Sequence, residues 1–253
     1  MTRTLEELRE YLVGEWKFDN NFLDTSGNGN HGTPTDIEWK PTSRGLKPHI
    51  KIGNTVSMNE IVLSPNDSTI SLWVANFKKI DSNYNDHHYI LSKNDRYRNY
   101  IAISSTGSIA IESDVNGDIF GIATTGTFPF DFRPHQITVT ASNAVTQIYL
   151  DGIPVNMTGI NADAEVKLTN IGCITEQNDT SPDCTVCGIL HYSTALTSDE
   201  VLNLYNSTKN AVGVRPAERS FTHRLQPDVD DNTVFATDMS TKNSDGTLMD
   251  LSW

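Results

Sequence analysis

Five short runs with alternating side-chain character set the limits on what this chain can fold into. They are Thr69-Ile70-Ser71-Leu72-Trp73-Val74, Tyr100-Ile101-Ala102-Ile103, Ser108-Ile109-Ala110-Ile111, Gln136-Ile137-Thr138-Val139-Thr140 and Thr146-Gln147-Ile148-Tyr149-Leu150. Successive residues of a strand point to opposite faces, so a period of two buries one face of a sheet, and a helix cannot satisfy it. Gly, Asn and Asp separate the runs, and Asp151-Gly152 ends the last with a hairpin signal. Repeated short strands of this kind fold as an antiparallel sandwich or barrel, and 253 residues are enough for one large all-β domain. Two segments break the pattern. Thr4 to Leu12 and Thr197 to Tyr205 each begin with Thr followed three residues later by Glu, the capping box of a short amphipathic helix.

Charge narrows the partners. The chain carries 19 Lys and Arg against 32 Asp and Glu, a formal net charge of −13. A nucleic-acid surface needs clustered cations, and here they are scattered among acids, so a soluble protein partner, a neutral glycan or a divalent cation fits better. The opening MTRTLEELREYLVGEW has no apolar core and no small-residue cleavage site, and no segment is long enough to cross a bilayer. The expectation is a soluble chain with no signal peptide and no membrane insertion. The Asn-x-Ser/Thr matches at Asn66, Asn156, Asn178 and Asn206 then read as chance.

Gly27, Gly29 and Gly32 have the G-x-G-x-x-G spacing of a dinucleotide-binding turn. That turn works only between a buried parallel strand and a helix N-terminus. Polar Asp19, Asn20, Asn21 and Asp24 interrupt the upstream side, and Pro34 with β-branched neighbours follows, so neither flank is present. The reading that remains is a tight loop between strands, with Gly and Asn supplying positive φ and with Asp24 and Ser26 capping nearby amides.

In order along the chain stand LVGEWKFDNNFLDTSGNGNHGT, TISLWV, YILSKND, HQITVTASNAVTQIYLDGIPV, LTNIGC and HYSTALTSDEVLNLYN. This ordered set, from Leu12 to Asn206, resembles the laminin-G-like domains of the concanavalin A-like lectin superfamily, in their bacterial and phage variety. The resemblance implies a two-sheet antiparallel jelly-roll sandwich with Trp16, Trp73, Ile137, Val139, Ile148 and Leu150 in its core, to which the two short helices are added. It implies lectin-like, adhesive or assembly roles without catalysis. Glucanases of the superfamily alternate two glutamates and an aspartate along one strand, and no E-x-D-x-x-E run occurs here; Glu112-Ser113-Asp114 and Asp163-Ala164-Glu165 read as solvated surface. Many relatives hold calcium between the glycine-rich turn and an acidic strand end. Asp24 matches the turn half, whereas Cys187 and Gly188 stand where the acidic pair would be. The resemblance thus offers calcium as a candidate cofactor with Asp24 as its one matching ligand, and the alternative is that Asp24 caps its own loop.

Glycan sites in such folds combine an aromatic platform with amides and carboxylates, which nominates Tyr84, Asn85, Asp86 and His87 together with Tyr97 and Arg98. The tandem His87-His88 otherwise reads as surface or core. Cys173, Cys184, Cys187 and His191 have the residue types of a structural zinc site. The competing reading makes Ile171 to Ile174 and Cys184 to Ile189 two strands of a hairpin. Cys184 and Cys187 would then face opposite ways, leaving a cross-strand disulfide or buried free thiols.

Residues Asp24 to Trp39 read DTSGNGNHGTPTDIEW, and Asp238 to Trp253 read DMSTKNSDGTLMDLSW, in register without a gap. The chain thus divides into an N-terminal helix (1–11), a jelly roll (12–206), a linker (207–220) and a partial second copy of the opening strands (221–253). An incomplete copy leaves sheet edges to be covered, in cis or by adding strands to a neighbour, unless the sequence is cut from a longer chain. Leu5 and Leu8 of the helix and Phe235, Leu251 and Trp253 of the copy are the expected interface residues. The reading that follows is a non-catalytic structural or adhesive protein displayed on a larger assembly, such as the surface of a virus particle, with like subunits as partners. The alternative is a free carbohydrate-binding protein.

Overall fold

The computed structural model describes residues 2–42, 45–51, 53–78, 87–93, 99–115, 118–125, 128–159, 165–172 and 182–212. The first strands are β1 (Leu12–Trp16), β2 (Thr33–Thr35), β3 (Glu38–Thr42), β4 (Gly45–Ile50), β5 (Thr55–Leu63), β6 (Asp67–Lys78), β7 (His87–Ser92) and β8 (Tyr100–Ser104). They continue as β9 (Ile109–Val115), β10 (Asp118–Thr124), β11 (His135–Ser142), β12 (Val145–Leu150), β13 (Ile153–Pro154), β14 (Met157–Gly159), β15 (Val166–Ile171) and β16 (Asp183–Tyr192). The helices are α1 (Leu5–Leu8) and α2 (Ser198–Thr208). Among the described residues none is long and apolar enough to cross a membrane.

The strands form two antiparallel sheets. Sheet A runs β13-β12-β11-β6-β16-β4-β3, with β1 paired to the end of β16, and sheet B runs β14-β10-β9-β8-β7-β15-β5-β2. The expected all-β sandwich is what forms. Its core lies between the sheets: Ile70, Leu72 and Val74 of β6, Ile137 and Val139 of β11 and Ile148 of β12 face Ile101, Ile103, Ile109 and Ile111 of sheet B, with Trp16 among them. Fully burying one such aliphatic side chain contributes about 1.5–3 kcal/mol, so the alternation itself is the folding signal. Leu150 packs on this core part-buried.

Trp73 corrects the expected core. It is buried, but between Leu72 and Val74 the period of two turns it to the other face of sheet A, where it joins Ala75, Cys187 and Val212 and stacks on Tyr205 of α2 at 5.6 Å. Further along the same face α2 buries Val201 and Leu204 against Tyr149, Tyr192 and Leu196. The helix starts where expected, with a capping box between Thr197 and Glu200. Asp151 (φ 52) and Gly152 (φ 80) make the hairpin turn from β12 to β13. A Cβ at Gly152 would stand 3.0 Å from the Tyr205 Cβ, so glycine also lets α2 approach.

The N-terminal segment is shorter than its periodicity suggests. α1 has four residues, a single 3₁₀ turn covers Arg9–Tyr11, and Leu12 already pairs with Tyr192 in sheet A. The 3₁₀ turn takes Arg9–Tyr11 and strand pairing takes Leu12, so the expected helix stops at Leu8. Leu8, expected at an outer docking surface, is 1% exposed and packs in the Val201 and Leu204 cluster, while Leu5 remains exposed. By contacts the chain divides into Met1–Val214 and Arg215–Trp253. Ser207 and Thr208, placed in a linker by sequence, close α2 instead. Phe235, Leu251 and Trp253 lie outside the described residues.

The glycine-rich stretch is a loop between strands. Gly27 (φ 98) and Gly29 (φ 75) bend it, and Trp16 Nε1 donates to the Asn30 carbonyl at 2.7 Å. Beyond it the chain runs along the edge of sheet B as β2 and crosses at Asp36 (φ 51) to the edge of sheet A as β3.

Candidate functional site

The outer face of sheet B has an unusual composition. Residues directly opposite in antiparallel strands share a face, so the register can be followed strand by strand. One row runs Thr33, Ser57, Asn170, Ser92, Tyr100, Glu112 and Gly121 through β2, β5, β15, β7, β8, β9 and β10. The row beside it runs Tyr89, Ala102, Ala110, Ala123 and Thr158. A line of hydroxyl, amide, phenol and carboxylate groups therefore borders a floor of alanines.

Three rings stand at one side of that floor. Tyr89 and Tyr100 approach to 4.6 Å between centroids, and His87 lies 5.8 Å from Tyr100. Tyr89 and Tyr100 are each 6% exposed, so the shelf is recessed. The Tyr100 hydroxyl donates to Glu112 Oε2 at 2.7 Å. Burial, then that carboxylate, raises the Tyr100 pKa and keeps the phenol protonated. Toward β5 the Ser57 hydroxyl donates to Asn170 Oδ1 at 3.3 Å, and the Ser92 hydroxyl to the Gly172 carbonyl at 2.6 Å. Glu112 is thus part-buried and paired, not the freely solvated group its turn-rich surroundings suggested. Glu165 does stay exposed, 3.5 Å from Lys167, while Asp163 lies outside the described residues.

Of the six ligand residues nominated by sequence, only His87 lies within the described residues; Tyr84, Asn85, Asp86, Tyr97 and Arg98 fall outside them. Within the described residues, His87 pairs with Ser104 at one end of the β7–β8 hairpin and Ser92 with Tyr100 at the other. Tyr89, Tyr100 and Glu112 were missed as a site. Their signal was present: the residues alternating with Ile101, Ile103, Ile109 and Ile111 are Tyr100, Ala102, Ser104, Ser108, Ala110 and Glu112, a single charge where a solvated face would carry several.

The metal readings meet the geometry separately. Cys184 lies in the core between the sheets, and Cys187 lies on the opposite face of sheet A beneath α2. His191 Nε2 donates to the Val62 carbonyl at 3.0 Å. These three do not converge, and no group of three or more His, Cys, Asp or Glu among the described residues could hold a metal. Among the described residues the expected hairpin does not form, since β15 belongs to sheet B and β16 to sheet A; Cys173 lies outside the described residues. Burial pushes the Cys187 thiol up to about 12 and Cys184 well above its ordinary value.

Asp24 does not fit calcium. Its Oδ1 accepts the backbone N–H groups of Glu15 and Ser26, both at 2.9 Å, and its Oδ2 accepts the Asn30 N–H at 2.9 Å and the Ser26 hydroxyl at 2.8 Å. A carboxylate has about four lone-pair positions, and hydrogens fill them. Burial alone would raise the Asp24 pKa, but the amides of Glu15, Ser26 and Asn30 outweigh it and hold the group ionised below its usual range.

No family model matches the chain, and no curated protein matches it. Solved structures do. The binding domain of Paraclostridial Mosquitocidal Protein 1 is similar with a TM-score of 0.60 at 18% identity, over 80% of this chain and 53% of that one. The botulinum neurotoxin serotype D binding domain has a TM-score of 0.61 at 19% identity, over 79% and 52%. This chain therefore spans about half the length of either. Domain 4 of AbnA, a GH43 extracellular arabinanase from Geobacillus stearothermophilus, in complex with arabinotriose, has a TM-score of 0.54 at 16% identity, over 77% of this chain and 98% of that domain. At these identities the likeness is one of fold, a β-sandwich shared with these two binding domains and the arabinanase domain.

Proposed function

We propose that this chain is a non-catalytic recognition domain that takes a neutral glycan on the outer face of sheet B. The observation that carries this is the row Ser92, Tyr100, Glu112 and Gly121 beside Tyr89 and the alanine floor. Part-exposed His87 offers a ring to the C–H face of a sugar, part-buried Glu112 an acceptor to sugar hydroxyls, and Gly121 and Ala123 leave room beside them, with the buried Tyr89 and Tyr100 holding His87 and Glu112 in place. Support of a weaker kind comes from the similar structures, which include binding domains and a domain with arabinotriose bound. Calorimetry against neutral oligosaccharides that include arabinotriose tests the reading. Glu112→Gln should weaken binding roughly 10- to 100-fold, the worth of a hydrogen bond to a charged group. Absence of binding to every sugar would sink it.

Display on a larger assembly through contacts between like subunits is the second part of the proposal. The N-terminal helix no longer argues for it, because Leu8 is spent on its own domain. What favours it is the copy of DTSGNGNHGTPTDIEW at Asp238 to Trp253. In light scattering, Trp253→Ala should reduce association while the melting temperature holds. A fall in melting temperature with association unchanged would mean that the copy is used in cis.

A further inference from the structure

We propose that the loop between β1 and β2 is a metal-independent lock, in which protein amides do the cross-linking that a bound calcium ion would otherwise do. Calcium needs six or more oxygens with free lone pairs directed at it. The Asp24 carboxylate and several of the carbonyls around it already accept hydrogen bonds. Beyond the four donors on Asp24, the Val13 carbonyl accepts the side-chain amides of Asn28 at 3.1 Å and Asn30 at 2.9 Å, the Leu12 carbonyl accepts Asn28 at 3.0 Å, and the Asn30 carbonyl accepts Trp16 Nε1. Each of these hydrogens presents positive charge on an oxygen that a cation would have to bind.

The orientation of Asn30 is fixed from both ends. Its Nδ2 donates to Val13 of β1, in sheet A, and its Oδ1 accepts Asn59 Nδ2 of β5, in sheet B, at 3.0 Å. Turning the amide over would set oxygen against the Val13 carbonyl and nitrogen against nitrogen. One neutral side chain thus staples the two sheets at the edge where the chain begins. Asn30→Asp removes the donor and sets a second carboxylate near Asp24, which converts the lock into a site that needs a cation.

Thermal melting of the full chain tests this. The wild-type protein should melt at one temperature in excess EDTA and in millimolar calcium, and terbium should give no luminescence through Trp16. N30D should melt roughly 4–8 °C lower in EDTA and recover part of that loss with calcium. Should N30D fold only in calcium, the same conclusion follows. A calcium-dependent rise in the wild-type melting temperature that disappears in Asp24→Asn would overturn the proposal, as would saturable terbium luminescence from the wild type.

Discussion

Arg3 grips Glu200 through Nε to Oε1 and Nη2 to Oε2, both at 2.9 Å, while the Arg3 backbone N–H donates to Oε1 at 2.8 Å. The same guanidinium reaches Thr194 Oγ1 and the Ala195 carbonyl, each at 3.0 Å. Four of these bonds come from one planar guanidinium fork, which lysine could not reproduce. The N-terminal segment is therefore a strap across its own α2. Arg3→Ala strips a buried carboxylate of its cation and should cost about 2–3 kcal/mol, and Leu8→Ala about 2–5 kcal/mol. Urea midpoints check both, and an unchanged midpoint in either variant would show that the strap is loose.

Acid should release that strap. The Arg3 fork, ahead of opposing burial and the amides of Thr197 and Arg3, holds Glu200 at about 2, below its ordinary 4.5. A depressed carboxyl stabilises the fold fully above 4.5, and that contribution is lost as pH falls toward 2. The melting temperature should drop over this window in the wild type and less steeply in Glu200→Gln.

The opposite limb belongs to His135. Its Nδ1 meets Asp151 Oδ2 at 2.7 Å and its Nε2 meets Asp131 Oδ1 at 2.9 Å, with Arg133 beside Asp131. Burial pulls the imidazole down, but the two carboxylates outweigh it and the pKa ends above 6.5. Stability from this clamp is complete below 6.5 and disappears as pH rises through the folded value. A proton NMR titration should place the His135 midpoint above 6.5, and His135→Gln should remove the alkaline fall in melting temperature. A midpoint below 6.5 would contradict the clamp.

On the candidate face, Tyr100→Phe deletes one hydroxyl and leaves Glu112 with solvent access, so the fold should lose only about 1 kcal/mol. Ala123→Arg should abolish glycan binding by filling the floor, with the melting temperature nearly unchanged. Binding that survives Ala123→Arg would place the ligand elsewhere.

The thiols of Cys184 and Cys187 should resist modification in the native state, because both are buried and held protonated. Ellman reagent should react with them at the rate of unfolding, and fast labelling of either without denaturant would contradict the packing.

The local grammar of the chain was sufficient for several of its elements. Ile137, Val139 and Ile148 share a face because residues two apart in a strand must, and Thr197 with Glu200 starts a helix because the capping box satisfies orphan amides within four residues. Asp151-Gly152 turns because the positive φ it needs is a property of the turn itself. Partners across the sequence were another matter. Period two says that Trp73 and Leu72 face opposite ways, but only the seating of α2 on sheet A makes both faces interior. Leu8 and Leu5 look alike in an amphipathic turn, and contact with Val201 and Leu204 decides which is buried. The row from Thr33 to Gly121 draws single residues from strands far apart in sequence. Its register is set by how two whole sheets pack, because a slip of one residue would turn every side chain of a strand over, and no stretch of local sequence encodes that energy.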